Sequence, residues 1–142
     1  MDERSNAASE DLTVRFPDLP VTSYLRLIAW SDRAAEVIVA DPTLESVARA
    51  NGVRVFDRKI AQLANRCRAV FCDEAAKALR AGRTTMAPVV VAPLPLWRES
   101  LTNLDRATEW LGHMKTSPIP EPTREIETTH RRVADALRAA FS

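Results

Sequence analysis

Glycine is nearly absent from this chain, at 3 of 142 residues. That leaves no material for a glycine-rich loop that cradles phosphates. Histidine is scarcer still, at 2 residues. His113 and His130 stand far apart, and neither belongs to a Cys/His cluster with metal-ligand spacing. Cys67 and Cys72 are the two cysteines. Their spacing places them about 140° apart around a helix, too divergent to bridge. No apolar leader for export is visible near Met1, so both thiols are expected to be reduced and mostly buried, in a cytoplasmic protein. Long apolar runs are missing too. The longest stretch, Ala87 to Trp97, is broken by Pro88, Pro93 and Pro95, whereas a membrane span needs about 20 apolar residues. Asp73 and Glu74 are adjacent carboxylates, but neighbours in sequence do not share a helix face. These absences leave an enzyme on an all-helical scaffold unsupported, and no enzyme, cofactor or metal is expected.

Apolar residues make up 46% and charged residues 27% of the chain, the balance of a folded globular protein. Abundant Ala, Leu, Arg and Glu favour helix. The expected class is all-α, a single-domain helical bundle of about five helices with a proline-rich extended segment. Residues 1–21 read as a loose, acidic N-terminal arm that docks Phe16 and Leu19. Residues 22–115 read as the helical core domain. Within it, Thr22 or Ser23 caps a helix running to about Ala40. Asp41-Pro42 caps and starts a second helix, and Asn51-Gly52 ends it. A long third helix is expected from about Val55 to Ala81, burying Phe56, Ile60, Leu63, Cys67 and Val70, then Phe71, Ala75 and Leu79. Residues 86–97 suit an extended segment in a groove, with a short edge strand at Val89–Val91. A fourth helix follows from about Arg98 to Leu111. Residues 116–123 form a proline-rich linker, and residues 124–142 a C-terminal helix. That last helix carries a narrow apolar stripe of Ile126, His130, Val133, Leu137 and Ala140 or Phe141, suited either to the core or to a partner chain.

Charge is uneven although the net is only +1. Residues 1–48 hold 4 basic and 9 acidic side chains, a net of −5. Residues 49–83 hold 9 basic and 3 acidic, a net of +6, while residues 84–142 hold 7 of each. Arginine supplies 17 of the 20 cations, a balance expected in part from coding bias if the gene comes from a GC-rich bacterial genome. Arg54, Arg58, Lys59, Arg66 and Arg68 are the candidates to neutralise phosphates on DNA or RNA. The competing possibilities are a solvated helix face, or pairing of this block with the acidic N-terminal segment.

One local pattern adds to the charge. Asp41-Pro-Thr-Leu-Glu-Ser-Val-Ala-Arg-Ala-Asn-Gly-Val53 resembles the first helix and turn of bacterial helix-turn-helix regulators such as the LacI and AraC families. Ala48 stands at the small position that lets two helices cross closely, Gly52 at the turn glycine, and Val53 at the apolar residue closing the turn. The resemblance implies that the next helix is a recognition helix, presenting Arg54, Asp57, Arg58 and Lys59 to the major groove. It covers about 25 residues. Its second half departs from the pattern, since Arg58 stands where those families place an apolar residue.

Two functions therefore compete. The first is a nucleic-acid-binding helical protein, either a helix-turn-helix regulator or a subunit of a nucleoprotein complex. The second is a protein–protein interaction or assembly module without nucleic acid. The second would use Trp97, Trp110, Val133 and Leu137 to hold a protein partner or a further copy of the chain, the C-terminal helix taking part. Neither involves a membrane.

Overall fold

Residues 10–54, 57–113 and 122–141 are described in the computed structural model of this chain. Their elements run β1 (Asp11–Arg15), β2 (Leu19–Pro20), α1 (Val21–Ala40), α2 (Pro42–Ala50), α3 (Arg58–Arg80), β3 (Thr85–Met86), β4 (Val89–Pro93), α4 (Leu94–His113) and α5 (Arg124–Ala140). The fold is mainly helical, with five helices among the described residues, but it is not purely α. The arm expected at residues 1–21 is a strand over its described part. β1 pairs antiparallel with β4, and β2 pairs antiparallel with β3. The cause is visible in the side chains. Leu12, Val14 and Phe16 alternate with Asp11, Thr13 and Arg15, the period that puts apolar groups on one face of a strand. Val14 and Phe16 are buried, as are Val90 and Ala92 on the facing strand.

The two short sheets form one interrupted ribbon. Arg15 lies opposite Val89 and Leu19 opposite Met86. Between them the Phe16 N–H donates to the Pro88 carbonyl at 2.9 Å. Pro17 and Asp18 therefore face Ala87 alone, a bulge that bends the ribbon. The buried hydroxyl of Tyr24 donates to the Pro17 carbonyl and holds that bend.

Helix ends follow local chemistry. The Asp41 carboxylate accepts from the Thr43 and Leu44 N–H groups at 3.0 and 3.3 Å, and Pro42 fills the first helical position. α3 begins later than the apolar periodicity suggests, because Asp57 caps it by accepting from the N–H groups of Lys59 and Ile60. The Val55 and Phe56 expected in its first turn lie outside the described residues. α4 begins earlier than expected, directly after β4. Pro95 sits in its first turn, where a missing N–H costs nothing. The extended proline-rich segment is thus split into an edge strand and the start of a helix. The linker expected at residues 116–123 lies mostly outside the described residues.

The main core gathers Val14, Phe16, Tyr24, Leu63, Phe71, Val90, Trp97 and Leu137. Phe71 meets Phe16 and Tyr24 edge-on, with ring centroids 5.2 and 5.1 Å apart, a favoured arrangement of ring quadrupoles. A smaller cluster of Ala34, Ile38, Leu44, Ala48 and Val53 joins the end of α1 to α2. Leu79, expected inside, is 61% exposed.

α5 packs against α1, β1 and α4, so it belongs to the same body as the other helices. Thr123 caps it, and Glu125 accepts from Ser23 and Arg26 of α1 at 3.0 and 2.7 Å. At its other end Arg138 pairs with Asp105 of α4.

Candidate interaction surfaces

The arginine block comes first, since the sequence points to it. Arg54 pairs with Asp57 at 3.3 Å, while its backbone N–H donates to the Asn103 side chain at 2.7 Å. Lys59 pairs with Glu99 of α4 at 3.5 Å. Arg68 pairs with Asp32 of α1. Arg66 donates to the Val91 carbonyl of β4 at 3.1 Å. Arg58 is exposed, with no ion pair among the described residues. Four of the five candidate cations thus hold α3 to its own neighbours or cap its start. They leave the helix in different directions, toward α1, α4 and β4. The suspected pairing with the acidic N-terminal segment is realised, among the described residues, at two contacts, Arg68 with Asp32 and Arg49 with Glu45.

The Ala48–Gly52–Val53 spacing has a direct local cause. Gly52 has φ 80°, a left-handed conformation that side chains disfavour. Its N–H donates to the Arg49 carbonyl at 3.0 Å, and the Val53 N–H reaches back to the Ala48 carbonyl at 2.9 Å. This pair of bonds is a Schellman stop, with the apolar contact between Val53 and Ala48 that accompanies it. The same motif recurs at Gly82, where the Arg83 N–H donates to Ala78 at 2.8 Å. α2 packs mainly on α1, and seven residues separate it from α3.

The residues nominated for a partner also find definite places. Trp97 is not exposed; it is 2% accessible, and its indole N–H donates to the Leu12 carbonyl at 2.9 Å. Leu137 is buried in the main core, and Val133 packs against that core. None of these three is an open contact surface, because the ribbon and α5 close over them. Trp110 lies in α4, and its side chain is outside the described residues. Cys67 is half-buried, and burial pushes its thiol up to about 11. Cys72 is exposed rather than buried. The burial expected for the pair therefore holds only in part.

A further surface lies on the ribbon, of which the sequence shows only the short edge strand at Val89–Val91. Leu94 N–H donates to the Glu10 carbonyl at 3.0 Å, and Phe16 N–H to the Pro88 carbonyl at 2.9 Å. These bonds mark the even-numbered residues of β1 and β4 as the mutually bonded set. The N–H and C=O groups of Val89 and Val91 consequently point away from β1, toward the edge of β4 that no strand pairs among the described residues. Their side chains stand on the outer face, 39% and 47% exposed. The signal that finds this ribbon is the alternation from Asp11 to Phe16, matched by the run of valines at Val89–Val91.

Among the described residues no His/Cys/Asp/Glu group could hold a metal ion, and no helix is long and apolar enough to cross a membrane. No family model matches the chain, and no curated protein or solved structure matches it either.

Proposed function

We propose that this chain is a helical protein–protein interaction module whose contact surface is the exposed side of the β1–β4 ribbon. One observation carries the reading. Val89 and Val91 present apolar side chains on the outer face of β4 and, among the described residues, unbonded backbone N–H groups at its edge, while three of the five cations suited to phosphate are paired with carboxylates of the chain itself. A free edge with outward valines is a template for another strand, and folded proteins normally cover or blunt such edges.

The nucleic-acid reading keeps one specific support. Arg58, Arg80 and Arg83 are exposed and make no ion pairs among the described residues. They lie at opposite ends of α3, a helix of 23 residues, so they make a dispersed charge rather than a groove-sized patch. Fluorescence anisotropy with labelled duplex DNA and single-stranded RNA decides between the two. The interaction-module reading expects no binding at about 50 mM salt. Submicromolar binding that falls steeply with salt, and that disappears when Arg54, Arg58 and Arg66 are changed to Glu, would replace it with the regulator reading.

A further inference from the structure

The edge of β4 also specifies the chemistry of what it takes, if the interaction-module reading above holds. We propose that it accepts an extended acidic peptide, which adds to the ribbon as a third strand. Strand addition draws affinity from main-chain hydrogen bonds and specificity from the flanking side chains. The main-chain groups are defined by the register. Val89 offers an N–H and a C=O on the side away from β1, Val91 an N–H and a carbonyl that accepts from Arg66, and Pro93 only its carbonyl. No bond to the N–H of Val89 or of Val91 exists among the described residues.

Charge complementarity selects the occupant. Arg66 is exposed and leans over this edge, and its partner is the neutral carbonyl of Val91, not a carboxylate. Arg15 stands on the outer face directly across from Val89 and makes no ion pair among the described residues. Glu10 and Asp11 sit on or beside β1, one strand further from that edge, and Glu99 of α4 is paired with Lys59. An incoming strand therefore meets positive charge first. When its N–H takes the Val91 carbonyl, Arg66 is released to pair with a side-chain carboxylate of the peptide. A second copy of the chain is disfavoured at the same place. Pairing two β4 edges antiparallel about Val91 brings two Arg66 guanidinium groups together, a like-charge contact.

The test is a titration of the ¹⁵N-labelled full chain with two synthetic peptides, one alternating glutamate with valine and one alternating lysine with valine. The amide signals of Val89 and Val91 should move with the glutamate peptide and bind it about tenfold more tightly than the lysine peptide. Arg66→Glu should reverse that preference. Val91→Pro, which removes one edge donor at a position not bonded to β1, should abolish binding while circular dichroism stays unchanged. Equal response to both peptides, with no effect of Arg66→Glu, would overturn the acidic specification and leave the interaction-module reading standing. Movement of the same amides with protein concentration alone would put a second copy in the site and overturn the proposed occupant. Silence of both amides toward both peptides overturns the inference itself. The broader reading falls on separate grounds, in the nucleic-acid titration.

Discussion

α1 is buried twice, by unlike means. Its first half places Val21 and Tyr24 in the main core, among aromatic rings and under the ribbon. Its second half places Ala34 and Ile38 against Leu44, Ala48 and Val53, with Trp30, Val37 and Ala107 partly covering them. The first cluster draws on the ribbon and on α1, α3, α4 and α5, whereas the second rests on α1, α2 and one turn, with Ala107 of α4 against it. Fewer buried apolar groups and fewer long-range partners make the second region the easier one to open. Local unfolding free energy scales with such density, so α2 should fluctuate as a unit above a more stable body. A helix held this way is tolerant of change, and the ribbon end of the molecule is not.

The largest expected effect tests the strong side. Trp97→Ala removes an almost fully buried indole together with its bond to Leu12. It should cost about 3–5 kcal/mol in denaturant unfolding. Ile38→Ala tests the weak side and should cost about 2 kcal/mol, near the low end for such truncations. Hydrogen exchange sharpens the contrast. Ile38→Ala should speed exchange in α2 far more than in α3 or β4. Equal acceleration everywhere would mean that the two clusters open as one and that the contrast drawn above is empty.

The two helix-stop glycines give a finer comparison. A Cβ at Gly52 would lie 3.3 Å from Arg106 Cγ, whereas a Cβ at Gly82 would meet nothing within 4 Å. Both positions have positive φ, at 80° and 73°. Gly82→Ala should therefore cost about 1 kcal/mol from backbone strain alone. Gly52→Ala should cost more, unless Arg106 swings aside. Thermal melts of the two variants side by side measure the difference.

The smallest effect concerns pH. Burial, with help from the nearby Arg138 charge, lowers the His130 pKa below the ordinary 6.5. In the window between the lowered value and 6.5, the unfolded chain binds more protons than the folded one. The stability carried by neutral His130 is thus fully present above pH 6.5 and fades as pH falls below it. Denaturant midpoints across that window, compared between the parent and His130→Gln, should show the parent losing more on acidification.

How much of this was legible in the sequence depends on whether the cause was local. Asp41-Pro42, Gly52 and Gly82 act within a few residues of themselves, and the helix starts and stops they announce are where they should be. The burial of Leu63 and Phe71 follows from helical period alone. The strand from Asp11 to Arg15 had the right alternation, but its acidic surroundings suggested an arm, and its partner lies beyond three helices. Trp97 looked like a contact residue for the same reason, because the carbonyl that satisfies its indole belongs to Leu12. The surroundings of the arginine face were the least legible. Lys59 and Arg68 are balanced by Glu99 and Asp32 on other helices, and Arg66 donates to a strand carbonyl. No spacing within α3 reveals any of those partners. The edge of β4 was half seen, as a short strand at Val89–Val91, without the register that tells which backbone groups it leaves open.

The ribbon has a further consequence, in time rather than in space. Its two halves enclose everything from Val21 to Thr84, so the strand at Asp11–Arg15 waits during synthesis until α1, α2 and α3 have been made. Helices form within microseconds, but pairing distant segments carries a loop-closure cost before any contact repays it. A mostly helical protein is therefore expected to close with the kinetics of a non-local sheet contact, slower than a plain bundle of its size. Until then Leu12, Val14 and Phe16 face water on the nascent chain, and the seam between residues 10–21 and 84–94 is the place where folding completes or fails.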